Sequence, residues 1–213
     1  MKITIFGAGG DVGSRLVSET LTRGHDVTAV LRTPASIGKI PQGANVSIAD
    51  VADTEQIARL VKSQDLVISA VRPPEGQEKD MVGLTASVLK ACSTAGVRVL
   101  VVGGAASLKL SDRPGYTVLT APGFLPDEYK PIALASQAQF ELCMADSDVD
   151  VTYMCPPAML EPGERLGHYR TGGDTLLTNE DGDSRISMED FAVALLDEAE
   201  RPRHKGGRFT VAY

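Results

Sequence analysis

The residues Ile3-Thr4-Ile5-Phe6 run without a break into Gly7-Ala8-Gly9-Gly10-Asp11-Val12-Gly13. The first four are apolar or β-branched and of strand length. Glycines at 7, 10 and 13, with another at 9, strip the following turn of side chains. A helical pattern, with Val12, Leu16 and Val17 on one face, begins immediately behind them and closes at Gly24. A strand, a bare turn and a helix packed close against the strand leave few folds open to the chain.

The same alternation continues along the sequence. Short β-branched runs recur at Val27 to Leu31, Val46 to Ile48, Leu66 to Val71, Val97 to Val102 and Val149 to Met154. Near-continuous apolar runs of this kind suit strands buried on both faces of a parallel sheet. Between them lie helical patterns. One opens at Asp53, whose D-x-x-Q sequence is a capping-box variant. Another runs from Met81 to Ala95 and stops at Gly96. A long candidate spans Asp127 to Asp146, with Pro131 near its first turn, and a last one opens at Ser187. Strand–helix alternation from end to end predicts α/β architecture: a single doubly wound parallel sheet, the Rossmann fold, in one domain over residues 1–213. Two segments rich in Pro and Gly interrupt the rhythm, at 111–130 and 156–186. They are read as small substrate-covering loops in the C-terminal half, with a pocket between them.

Such a turn has one well-understood use. The middle glycines let the backbone approach a pyrophosphate, which rests on the unpaired amides at the helix N-terminus. The residue at the end of the second strand then selects the nucleotide. A carboxylate about 20 residues on would hold the ribose hydroxyl of NAD. Here Arg32 stands nineteen residues beyond Gly13. A guanidinium binds a 2′-phosphate in bidentate fashion, so NADP(H) is expected in preference to NAD(H). Ligands gather at strand carboxyl ends. That places Asp50 and Val51 beside the adenine, Ala70, Val71 and Arg72 along the nicotinamide half, and Gly103 where bare backbone can meet the ligand.

The formal charge of −7, with no basic run, argues against a phosphate-backbone partner, so no nucleic acid is expected. No apolar run approaches the ~20 residues of a membrane span. With no signal-peptide pattern and three cysteines that form no C-x-x-C pair, a reducing cytoplasmic setting is expected. His25, His168 and His204 lack metal-ligand spacing, and no metal is expected. His25 and His204 read as solvated; His168 lies in the second loop, within reach of a substrate. Four residues beyond Tyr116, Tyr129, Tyr153 and Tyr169 stand Thr120, Ala133, Pro157 and Gly173, so no Tyr-x-x-x-Lys pair exists. That removes the common proton donor of ketone reduction, and no G-x-S-x-G elbow replaces it. Ser107, just past the fifth strand, is the candidate catalytic side chain.

The runs Ile5 to Gly10, Val101 to Leu108, Glu161-Pro162-Gly163-Glu164-Arg165, Ile186 to Ala192 and Arg208-Phe209-Thr210-Val211 together resemble the atypical short-chain dehydrogenase/reductase group, in particular its NADH-flavin reductases. The chain is more distantly similar to flavin/biliverdin reductases and to NAD(P)-binding transcriptional regulators. The resemblance implies NAD(P) binding along Gly7, Ala8, Gly9, Gly10, Asp11 and Val12, and a substrate cleft near Ser107 and Pro156-Pro157. It implies NAD(P)H-dependent reduction of a small-molecule acceptor of the flavin or quinone class. Such an acceptor takes hydride directly, and the protein supplies orientation. A non-catalytic NADP(H) sensor acting through a protein partner accounts for the missing Tyr/Lys pair equally well.

Overall fold

The computed structural model describes residues 1–145 and 148–213. Its strands, in chain order, are β1 (Lys2–Phe6), β2 (Asp26–Leu31), β3 (Asn45–Ile48), β4 (Leu66–Ser69), β5 (Val99–Val102), β6 (Val151–Cys155), β7 (Met159–Glu161), β8 (Arg170–Gly172), β9 (Arg185–Ser187) and β10 (Arg208–Ala212). The main sheet has eight strands in the order β3-β2-β1-β4-β5-β6-β10-β8. All neighbours run parallel except β8, which lies antiparallel on β10 at one edge. The sheet is therefore doubly wound, as the alternation predicts, but not purely parallel. β7 and β9 form a separate two-stranded parallel ribbon.

The helices are α1 (Asp11–Thr22), α2 (Thr54–Val61), α3 (Met81–Ala95), α4 (Lys130–Met144) and α5 (Met188–Glu200). Leu16 and Val17 of α1 join Phe191, Leu195 and Leu196 of α5 over one face of the sheet. Ile57 of α2, Val88 of α3 and Cys143 of α4 cover the other. Ile3, Ile5 and Phe6 of the central strand are wholly buried, which at about 1.5–3 kcal/mol per large apolar side chain makes β1 an anchor of both cores. Asp53 caps α2 by accepting from the amides of Glu55 and Gln56, but its own amide donates to the Asp50 carbonyl rather than to Gln56, so the expected capping box is half made; Ser187 caps α5 by accepting from the amide of Asp190. The segment expected as one helix from Asp127 starts as a 3-10 turn, Asp127–Tyr129, and turns α-helical at Lys130 with Pro131 in its first turn. Its expected end at Asp146 lies outside the described residues. β4 stops at Ser69 rather than Val71; the amide of Ala70 still reaches Phe6, but Pro73 and Pro74 have no amide to extend the ladder.

Burial pushes the thiols of Cys92, Cys143 and Cys155 up to about 12, and all three are free. Among the described residues no helix is long and apolar enough to cross a membrane, and no cluster could hold a metal ion.

The second loop is fastened to the α1–α5 face by charge. The nearly buried Glu19 of α1 receives Arg165 from the loop and Arg23 from the C-cap of its own helix, at 2.8 Å each. Arg23 also reaches Asp197 of α5 at 2.8 Å. The Arg165 hydrogen bond, more than any other contact, holds the Glu19 carboxyl below its ordinary range. This contribution to stability is complete above the unfolded carboxylate value of about 4.3 and is lost as the pH falls through the lower folded value. The melting temperature is expected to drop on acidification below about pH 4. Glu19→Gln should melt lower at neutral pH and show a shallower acid dependence; an unchanged acid slope would show that other carboxylates govern it.

Candidate active site

The site begins where β1 ends. Gly7 adopts φ +75°, and a Cβ there would stand 2.4 Å from the carbonyl oxygen of Ala70. A Cβ on Gly13 would stand 2.1 Å from the carbonyl oxygen of Gly7, and one on Gly9 2.7 Å from Ser36 Cβ. The turn is thus pressed between β4, α1 and the chain after β2. Gly10 caps α1 with no side chain, so nothing of its own satisfies the first-turn amides. Those donors and the positive end of the helix dipole form a cradle for an anion.

A cleft of about 830 Å³ opens beside this turn, at the switch between β1 and β4 where the strand order reverses. Gly7, Gly9, Gly10, Arg32, Asp50, Val51, Ala70, Val71 and Arg72 line it, each from the segment the sequence assigned. Arg32 is exposed, and among the described residues its guanidinium has no ion pair or hydrogen bond. Asp50 turns its carboxylate back onto the amide of Ala52, at 2.9 Å. Lining that sequence reasoning missed comes from two places. Thr33 and Ser36 flank Arg32; Pro73, Pro74, Gln77, Lys79 and Asp80 lead into α3, whose Gly83, Leu84 and Ser87 form the far wall. The only signal for the second group was the Pro-Pro break after β4.

Other expected residues lie elsewhere. Ala8 is buried, its amide donating to Val30. Val12 packs into the α1–α5 core, and Asp11 offers its carbonyl to Arg15 at 2.8 Å. None of the three lines the cleft. At Gly103 the missing side chain makes room for protein: a Cβ there would lie 2.0 Å from the ring of Tyr153. Ser107 is nearly buried, and its hydroxyl accepts from Arg208 Nη1 at 2.7 Å. Arg208 in turn donates to Asp174 at 3.0 Å and lies over the Phe140 ring.

No cleft residue comes from 111–130 or 156–186. Lys109, just before the first loop, and the interior of the second are bonded together, the Lys109 amide to the Asp174 carbonyl at 2.8 Å and the Leu176 amide to the Lys109 carbonyl at 2.9 Å. The histidines expected in solvent are engaged: His25 Nε2 lies 2.8 Å from Glu200, and His204 bonds Glu198 and stacks on Phe209. His168 is exposed beside Tyr213, away from the cleft.

The NAD(P)H-binding family model matches residues 7–200. Among solved structures, a Burkholderia pseudomallei protein named "putative exported protein" is 37% identical, with a TM-score of 0.89 and 100% of both chains covered. A "putative epimerase" of Bacteroides thetaiotaomicron is 36% identical with a TM-score of 0.90, covering 100% of this chain and 96% of that one. A "putative NADH-flavin reductase" of Streptococcus pneumoniae TIGR4 is 29% identical with a TM-score of 0.88, covering 100% and 99%.

Proposed function

The chain belongs to the NAD(P)H-binding family, and from that premise we propose that it is a reductase that binds NADP(H) in preference to NAD(H) and delivers hydride to a flavin, quinone or similar conjugated acceptor. One observation carries the reading: one cleft at the β1–β4 switch holds together the bare glycine turn and Arg32, whose guanidinium is unpartnered among the described residues. The turn and the α1 N-terminus would hold the pyrophosphate, and Arg32 with Thr33 and Ser36 the 2′-phosphate.

When bound, the nicotinamide supplies a hydride. The protein's part is then to bind, orient and keep water away. No Tyr-x-x-x-Lys pair is present to protonate a ketone oxygen, which favours an acceptor whose conjugated ring takes the hydride directly. The Streptococcus protein's name carries NADH; the preference proposed here rests on Arg32 alone.

Titration of the purified protein with NADPH and with NADH, followed by FMN, riboflavin and a quinone while the nicotinamide absorbance is followed, tests the proposal. Tighter binding of NADPH and acceptor-dependent oxidation are expected. Tight binding with no oxidation by any acceptor would replace the reductase with a nucleotide sensor. No binding of either nucleotide would remove both.

A further inference from the structure

Among the described residues two glycines lie inside α-helices, Gly13 and Gly83. The protein itself explains the first, since a Cβ on Gly13 would strike the backbone of Gly7. It does not explain the second. Gly83 is not left-handed, and a Cβ there would meet no protein atom within 4 Å. A 3-10 turn, Glu78–Asp80, runs directly into α3 at Met81, so Gly83 stands within a continuous helical run rather than at its end. Glycine is the poorest residue but proline for such a place, because it leaves the unfolded chain the most freedom to lose. The fold alone would be better served by alanine.

What Gly83 does face is the cleft. It forms the α3 wall with Leu84 and, one turn further on, Ser87. The Ser87 hydroxyl donates back to the Gly83 carbonyl at 3.1 Å, so its proton is not offered to the cleft. Val30 and Leu31 from β2, and Ala49, Val51 and Ala52 at the end of β3, line the same cleft. Ala49 and Val51 share a core with Val88, the residue after Ser87, which sets this stretch of α3 beside the end of β3. The space between is walled by short apolar side chains and, at Gly83, by bare helix backbone. Such a slot admits a flat aromatic ring. Arg32 lines the cleft as well. In NADP(H) the 2′-phosphate and the adenine are carried by one ribose, so a phosphate held at Arg32 puts the adenine within one sugar of it.

We propose that Gly83 is a binding residue: its missing side chain opens the slot between α3 and the end of β3, and the adenine ring lies there flat against the α3 backbone. This rests on the NADP(H) reading above. A side chain at position 83 would occupy the place of the ring, and the helix would gain from it what the ligand loses.

The experiment compares wild type with Gly83→Ala and Gly83→Leu, and with Ala95→Leu, which adds the same bulk to an exposed position at the far end of α3. Melting temperature, affinity for adenosine 2′,5′-bisphosphate and affinity for NADPH are measured on each. Gly83→Ala should melt about 2–4 °C higher than wild type. It should bind the bisphosphate and NADPH roughly tenfold more weakly, and Gly83→Leu more than about a hundredfold more weakly. Gly83→Leu should melt no lower than wild type, and Ala95→Leu should bind as wild type does. Binding of the bisphosphate by Gly83→Leu within about twofold of wild type would overturn the proposal. If NADPH binding fell in that variant while bisphosphate binding held, the α3 wall would belong to the nicotinamide half, and the adenine assignment would be wrong. Failure of wild type to bind either compound would instead remove the NADP(H) reading, and this inference with it.

Discussion

Replacing Gly13 by alanine is expected to weaken NADPH binding by about a hundredfold, or ~2.7 kcal/mol, and to lower the melting temperature. The added Cβ would lie 2.1 Å from the carbonyl oxygen of Gly7, 2.8 Å from its carbon and 2.9 Å from Ala8 Cα. All three are backbone atoms, so no side-chain rotation relieves the clash. Either α1 withdraws from the turn or the turn itself moves. Withdrawal disturbs the packing of α1 on α5, and overpacking of this kind typically costs about 1–3 kcal/mol. Movement of the turn displaces the α1 amides from the cleft and with them the anion cradle. Gly173→Ala is the control, because a Cβ there meets nothing within 4 Å and the backbone is not left-handed. Isothermal titration with a thermal melt on each variant separates the two losses. Wild-type affinity in Gly13→Ala would show that the helix does not sit as close to the turn as the structure places it.

The part of this site that could be read from sequence is the part that is local. Gly7 to Gly13 act on one another across a few bonds, and Arg32 follows at the spacing that one helix and one strand impose. The wall contributed by Gly83, Leu84 and Ser87 has no such signature; it reaches the cleft only because β4 lies next to β1 and α3 folds back over that pair. Ser107 illustrates the opposite difficulty. Its place after β5 was visible, but its partner Arg208 lies 101 residues away on β10. The sequence pattern did not mark β10 as a strand, since Arg208 and Thr210 put polar side chains among its apolar ones. Gly103 likewise looked like room for a ligand until Tyr153, on the neighbouring strand, was seen to occupy that room. The run Glu161 to Arg165 carried a family resemblance but no sign of what it packs against, and its docking through Arg165 depends on a buried Glu19 that α1's pattern treats as an ordinary helical residue.

Arg32→Ala should raise the Kd for NADPH roughly 10- to 100-fold and leave that for NADH nearly unchanged, the span expected for one hydrogen bond to a charged group at about 1.5–3 kcal/mol. The melting temperature should not move, because the guanidinium is exposed and makes no ion pair or hydrogen bond among the described residues. Its freedom is itself informative when compared with Arg15, Arg23, Arg98, Arg165 and Arg208, each of which is paired with a carboxylate. Asp50, the carboxylate in the same cleft, is spent on the Ala52 amide and stands at the end of β3 rather than β2, so it does not supply the usual ribose contact of an NAD site. Arg32→Lys sharpens the test: it keeps the charge but loses the planar fork, and an intermediate NADPH affinity is expected. Raised salt should erode the wild-type preference as well, since the contact is charge against charge at an exposed position. Equal loss of NADPH and NADH in Arg32→Ala would give a different answer. The guanidinium would then be stacking on the adenine common to both nucleotides, and any choice between them would fall to Thr33 and Ser36.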